Sequence, residues 1–592
     1  NANGFLNDKR LAAHVYTTGD WSLRDGSAKL NVVAVKDLDL SLLKTVVPLK
    51  DLLNGRVDAN LKTVDHNPGK KTTAEVSVNI RGCAVKGWPS DVNLDGSGDV
   101  EMTWLDSGQF IFQASDMHVK SLNKENLKRH DAVLEGAAMF DGRTGVFEVT
   151  LKSSEWDLPF LHPLVATHLD GIELLDAKIS HAMPVILRGD GQGVIEIIGP
   201  LKVERMRLKD SQGLLPKGRL AADVILDLKF NCNENGWQIE AKKTSARFSL
   251  DDRNAGQIRL SGVIRSSPVD GNFDLSVENV DHHIVSLISG SLADQARMVA
   301  GRIVRLETNG AFIGKKVTGS LNMELKGADI RLKNGSWPPG AMDVSYKLGD
   351  AEFSIGGDPL IFKAETNKLN VKQNGVEVAS FDMKISVKDS DYSFRIKSMD
   401  LKPPFTSLSV KAWLPHQGVQ AGRLRVNESE LRLDPKGNGH FKGNIKFSEF
   451  TLPSDQLNEK PTPLDASFVI DAGVTNNVFG IKRFTANLPR TAKAENVGTI
   501  SGQIDLSNLR APTGRIQLKS DALDITPVVA FLKPAKIQTE KQAAVKPAST
   551  LGQQQVTTNR FSFHQFKIGM DLKRLHWRDL VATNIVGRVE LN

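Results

Sequence analysis

Residues 369 to 399 read LNVKQNGVEVASFDMKISVKDSDYSFRIKSM. Within them Phe381, Met383, Ile385 and Val387 alternate with Asp382, Lys384, Ser386 and Lys388, and Tyr392, Phe394 and Ile396 continue the apolar series against Ser393, Arg395 and Lys397. A period of two sends successive side chains to opposite sides of an extended chain, so the stretch predicts strands with one greasy and one wet face. Asn374-Gly375 and Asp389-Ser390-Asp391 separate the runs. Both have turn chemistry, and the whole reads as an antiparallel meander.

The same alternation recurs at Phe147, Val149 and Leu151, at Leu321, Met323 and Leu325, at Met342, Val344, Tyr346 and Leu348, and at Phe561 and Phe563. Helical periodicity is confined to Ser41 to Leu53, Leu164 to Leu175, Asp281 to Ala300 and Thr526 to Leu532. These pieces are too few to cover such a sheet in the α/β manner. The expected fold class is mostly β: an elongated antiparallel β-groove or curled sheet array with a few short helices.

A weak internal repeat supports a modular array. Residues 271–288, GNFDLSVENVDHHIVSLI, align without a gap to 514–531, GRIQLKSDALDITPVVAF, and 35–61 repeat the order strand, Leu-Asp, helix, Gly, strand. The expected division is a β-rich region 1–270, a second 271–513, and a C-terminal region 514–592. The last contains a stretch, 533–560, with no aromatic residue and much Gln, Lys, Ala and Thr. It is expected to be a disordered insert, because it holds too little apolar surface to order itself.

A chain of 592 residues exceeds one compact core and implies several domains or an array. No run approaches the ~18 apolar residues of a membrane-spanning helix, and the start lacks a signal-peptide pattern. Because the chain opens at Asn1 and closes on the strand-like GRVELN, it is expected to be a fragment of something longer, with any membrane anchor outside it. The net charge of +7 comes from 76 Lys and Arg against 69 Asp and Glu, spread along the chain and not clustered with aromatics. Nucleic acid is therefore not an expected partner. Two cysteines, Cys83 and Cys232, exclude a disulfide framework or a CxxC zinc site, and are expected to be buried free thiols.

Motifs that could carry chemistry are poor. Asp91 to Gly96, DVNLDG, matches the first half of a calcium loop, but Met102 occupies the place of the bidentate carboxylate, so a polar β-turn is expected. Gly189-Asp190-Gly191-Gln192-Gly193 lacks the Lys-Ser or Lys-Thr of a phosphate loop and reads as a hairpin turn. His282 and His283 follow Asp281 at a helix start. Adjacent helical residues do not face each other, so a capped helix is expected there and not a shared metal. No Gly-x-Ser-x-Gly or His-Glu-x-x-His occurs. Neither catalytic residues nor a cofactor are expected.

Two features point to function. The C-terminal order is a strand ending in SDALDI (520–525), a short helix at 526–532, a polar loop, and FSFHQFKIGMDLKRLHWRDLVATNIVGRVEL (561–591). This order resembles the C-terminal region of the AsmA-like family of bacterial envelope proteins. The resemblance implies a long β-groove, a periplasmic location with an inner-membrane anchor, and a role in outer-membrane lipid homeostasis. It also implies phospholipid or another acyl-chain lipid as partner, with envelope proteins as further partners, and it offers no catalytic residues to carry over.

Independently, a long sheet with one apolar face must hide that face against a second sheet, within a barrel, or with apolar ligand. The expected lipid lining is Phe273, Leu275 and Val277; Leu321, Met323 and Leu325; Phe381, Met383, Ile385 and Val387; Phe394 and Ile396; and Ile516 and Leu518. The competing expectation is a structural or adhesive β-solenoid of the cell envelope.

Overall fold

The computed structural model describes residues 2–6, 9–18, 28–39, 52–67, 71–85, 92–105, 110–123, 129–141, 144–157, 172–181, 183–210, 218–233, 236–267, 269–289, 296–332, 337–354, 361–407, 421–451, 463–508, 512–532 and 566–591. Contacts divide the chain into two units. The first is Asn1–Ala293 with Arg302–Gly314, and the second is Asp294–Gly301 with Lys315–Asn592. The sequence-derived boundaries at 270/271 and 513/514 fall inside the strands Val269–Asp281 and Thr513–Ser520, because the repeat was counted from a glycine one or two residues into each strand.

Both units are antiparallel meanders, as the alternation predicts. In the second, each strand from Lys316–Leu332 to Thr513–Ser520 pairs with its successor in the chain. The one change of direction is at the end, where Phe566–Trp577 lies parallel to Thr513–Ser520 and antiparallel to Leu580–Leu591. A parallel neighbour needs a crossover, and the long connection between these two strands provides it. The sheet remains open and does not close into a barrel.

The two ends of the strands in this second unit differ. On one side the connections are short, with Asp389-Ser390 and Asn476-Asn477 joining strands directly. Asn374, Asp389, Asn476 and Asn477 all have φ between 50° and 64°, a left-handed backbone that Asn and Asp tolerate. On the other side Asn374-Gly375 is a tight turn, but the later connections are long, at 402–420, 452–463 and 488–496.

Helix is scarcer than the periodicity implies. His282–Ser289 is helical, but Ala296–Ile313 is already strand, so the expected helix from Asp281 to Ala300 stops early. From Ala296 the period of two returns. Ile172 to Leu175 open the strand Ile172–His181, and Leu52 and Leu53 open Leu52–Asn67, so those expected helices also overreach. The remainder of both lies outside the described residues, as do Phe561, Phe563 and the 533–560 insert. Thr526–Leu532 is helical as expected.

Two local expectations are corrected. Val92–Leu105 is one continuous strand, so Val92 to Gly96, the described part of the expected turn at Asp91 to Gly96, is strand and not a β-turn. Asp95 there accepts a hydrogen bond from the Gly82 N–H at 2.8 Å, beside a bulge in the neighbouring strand. Its carboxylate thus serves the backbone of the bulge. Cys83 is buried, and burial pushes its thiol pKa up, but Cys232 is exposed next to a hairpin. The turn at Gly189 to Gly193 is as expected, with Asp190 accepting from the N–H groups of Gln192 and Val194 at 2.7 and 3.0 Å.

Candidate functional site

Residues directly opposite each other in a ladder project from the same face of the sheet. Following register partners across the second unit therefore traces that face strand by strand. One line runs Ala351, Ala364, Ile385, Phe394, Leu431, Phe441, Ala472, Ile481, Gly502, Ile516, Ile568, Val589. A second runs Met323, Tyr346, Leu369, Phe381, Met399, Val426, Ile445, Phe468, Ala486. No charged residue interrupts either line. Bulges, such as the one between Asp382 and Met383, shift the pairing yet preserve the face.

Between these lines lies a third with polar points. Met383 is flanked by Asn367 and Ile396, and Ile396 by Ser429. Ser429 is satisfied by the backbone, donating to the Asn427 carbonyl at 2.8 Å and accepting from the Asn444 N–H at 3.1 Å. Asn367 is 5% exposed, and its side-chain oxygen has no partner among the described residues.

Aromatic rings gather toward one end of this face. Phe447 meets Phe450 and Phe468 edge-on, at 4.9 and 5.9 Å between centroids, and Phe468 meets Phe484 at 5.5 Å. Such edge-to-face contacts add to the area the rings bury.

The opposite face is charged. The line through Lys384 continues as Arg395, Glu430, Lys442, Asp471 and Arg483. Lys384 pairs with Glu365 at 2.8 Å, Arg395 with Glu430 at 3.2 Å, and Lys368 with Asp382 at 3.1 Å. The Lys384 ammonium holds the Glu365 carboxyl below its ordinary range, and Arg432 does the same to Glu430. Exposed pairs of this kind contribute little to stability but keep the face wetted.

In the first unit a comparable line runs Ala138, Val149, Leu187, Ile197, Leu228, Ala241, Gly262, Phe273, Gly310. It is apolar throughout but built from smaller residues.

Every residue expected to line a lipid path falls on one of these apolar faces. Phe381, Met383, Ile385 and Val387 abut Tyr392, Phe394 and Ile396, and Leu321, Met323 and Leu325 abut Leu348, Tyr346 and Val344. Ile516 and Leu518 lie farther along, against Ile568 and Met570. Phe273, Leu275 and Val277 belong to the first unit. Phe441, Phe447, Phe468 and Phe484 are not singled out by the sequence reading, although the same alternation in 439–451, 464–475 and 478–487 carries them.

Burial distinguishes this face from a sealed core. Val277, Leu325 and Val387 are buried, but Phe381, Met383, Ile385, Phe394 and Ile396 are only half-buried although they sit in mid-strand. The described strands of the second unit all belong to one sheet. Large apolar side chains left half-open in a contiguous array mark a binding surface, where isolated ones would mean nothing. Among the described residues, this face brings together no group of His, Cys, Asp and Glu side chains at metal-ligand spacing. No family model matches the chain, and no curated protein or solved structure is similar to it.

Proposed function

We propose that the apolar faces hold acyl-chain lipid, and that the protein carries or stores phospholipid or a related lipid in the bacterial periplasm, between the inner and outer membranes. The observation that supports this reading is the uncharged line of apolar residues crossing the second unit from Ala351 to Val589, half-open to its surroundings. Transfer of apolar surface is worth roughly 0.8 kcal/mol per CH₂, so two acyl chains leaving water gain on the order of 20 kcal/mol. A carrier of such chains needs unbroken lining more than specific contacts, and the face has that character. No helix among the described residues is long and apolar enough to cross a membrane. Membrane attachment in this reading comes from an anchor outside the sequence or from envelope protein partners. The reading involves no catalysis and no cofactor.

The test compares the two faces of Val376–Lys388. Met383→Arg puts a guanidinium on the apolar face, where desolvation opposes it and acyl chains meet a polar barrier. Lys384→Gln removes a charge from the wet face without placing a carboxylate beside Glu365. Lipid co-purifying with each purified protein is measured by mass spectrometry, with melting temperature as the control for folding. The expected result is a folded Met383→Arg protein stripped of lipid and a Lys384→Gln protein like wild type. A folded Met383→Arg protein with its full lipid load, or a wild-type protein with none, overturns the reading and favours a structural envelope role.

A further inference from the structure

The helix start that the sequence reads as a simple cap holds more than a cap. Asp281 ends its strand, and His282 and His283 are the first two residues of the helix His282–Ser289. The cap exists, since the Asp281 Oδ1 accepts the His283 N–H at 3.0 Å. The two imidazoles do not diverge, however. Their ring centres are 3.9 Å apart with planes 37° to each other, and both Nδ1 atoms lie near the same Asp281 Oδ1, which the His283 Nδ1 hydrogen-bonds at 2.7 Å and the His282 Nδ1 approaches to 3.2 Å. Adjacent residues within a helix would face different ways. At its first turn the chain is still leaving the strand, and the side chains converge.

That oxygen is crowded. Its two lone-pair directions are met by the His283 N–H and the His283 ring nitrogen, and the His282 ring nitrogen lies close by as a third group. An imidazole Nδ1 aimed at a carboxylate is favourable only if it carries a proton or shares a cation with the carboxylate. One oxygen and two imidazole nitrogens form a mixed donor set suited to first-row divalent ions of the zinc type.

The spacing agrees. Bonds of about 2.0–2.2 Å in tetrahedral geometry set ligand atoms roughly 3.3–3.5 Å apart. The three donor atoms here all lie within 4.8 Å of one another, with the His282 nitrogen–oxygen separation close to the tetrahedral edge and the hydrogen-bonded His283 one well inside it. Small side-chain rotations open the set to metal size. The side chains are 37%, 22% and 32% exposed for Asp281, His282 and His283, so an ion can enter and solvent can complete its coordination.

We propose that Asp281, His282 and His283 form a binding site for a zinc-type divalent ion, with one carboxylate oxygen, two imidazole nitrogens and water as ligands. Its consequence follows from what comes next in the chain. Ile284 is fully buried among Leu220, Ala255, Val277 and Val280, and its helix packs on an end of the first unit's apolar face. An ion held at residues 281–283 ties the strand to the helix and stiffens that packing.

The test is calorimetric titration of the full-length chain with Zn²⁺, together with melting temperature with and without Zn²⁺. The wild-type protein is expected to bind an ion that raises its melting temperature. His282→Ala and His283→Ala are each expected to weaken binding by at least about tenfold. Asp281→Asn keeps an amide that still caps the helix, so it guards against misfolding while weakening the metal site. Wild-type protein that does not take up Zn²⁺, or folded variants that bind it as tightly as wild type, overturn the proposal.

Discussion

The two helices that follow the repeated strand-and-Asp element are built alike in sequence and held in opposite ways. Asp281 aligns with Asp524, and each accepts a hydrogen bond from the N–H two residues on, at 3.0 Å in both. Beyond the cap they part. In the first unit Val280, Ile284 and Leu220 are at most 1% exposed, and Met206, Phe248, Leu250 and Ile303 pack around them. In the second the buried centre is an amide. Asn496 is 0% exposed, donates to the Pro489 carbonyl at 2.6 Å, and accepts the Asp524 N–H at 2.5 Å. The Ile525 N–H donates to the His576 carbonyl at 3.0 Å, and the Thr526 hydroxyl accepts the Arg578 N–H at 2.8 Å. One helix is a hydrophobic plug and the other is fastened by backbone hydrogen bonds. A local sequence likeness transmits the strand, the cap and the helix, but not what the helix docks against.

The contrast gives unequal sensitivities. Ile284→Ala removes buried methyl groups and leaves a cavity, with an expected loss of about 2–5 kcal/mol. Asn496→Ala strands a backbone donor and a carbonyl in a buried site, which costs about 1–3 kcal/mol for each unsatisfied group, tempered by any water that enters. Alanine also fits poorly at its φ of 58°. Chemical unfolding followed by hydrogen exchange, read separately over each unit, checks both. Ile284→Ala should loosen the first unit and Asn496→Ala the second. Equal loosening of both units by either variant would mean that the closures do not act locally.

The sequence carried the strands because a period of two is a local signal, and it carried the faces because alternation needs no knowledge of the partner strand. Register is not local. Whether Ile385 meets Ala364 or its neighbour Glu365 depends on the bulge between Ala364 and Asn367, which nothing in 361–373 announces. Helix ends were read too long at Ala300 and Leu175 because short apolar runs fit both periods. The amide fastening was invisible: Asn496 sits in a connection 28 residues from Asp524, and only the folded chain brings them together. The pairing of His282 with His283 was discounted on a rule for helix interiors, and these residues lie at a helix start, where the rule fails.

The smallest expected effect concerns charge at the second cap. Burial raises the Asp524 pKa, but hydrogen bonds from the Thr526 hydroxyl and N–H and from Thr491, with the Lys493 charge, outweigh it and leave the carboxyl below its ordinary range. A carboxylate with a depressed folded pKa adds stability above its unfolded pKa, and that addition is lost as pH falls through the folded value. Asp524→Asn keeps the cap geometry, since asparagine caps as well as aspartate, and deletes only the charge. Wild type should therefore be more stable than Asp524→Asn near neutral pH, by no more than about 1 kcal/mol. The gap should close as pH falls below the ordinary aspartate range, where the wild-type carboxyl becomes neutral too. Paired melting curves of the two proteins at about pH 7 and about pH 3 read this difference directly, because every other titrating group is common to both. A gap that persists or widens in acid would mean that the side chain acts through its shape, and that the second closure is indifferent to the charge on its cap.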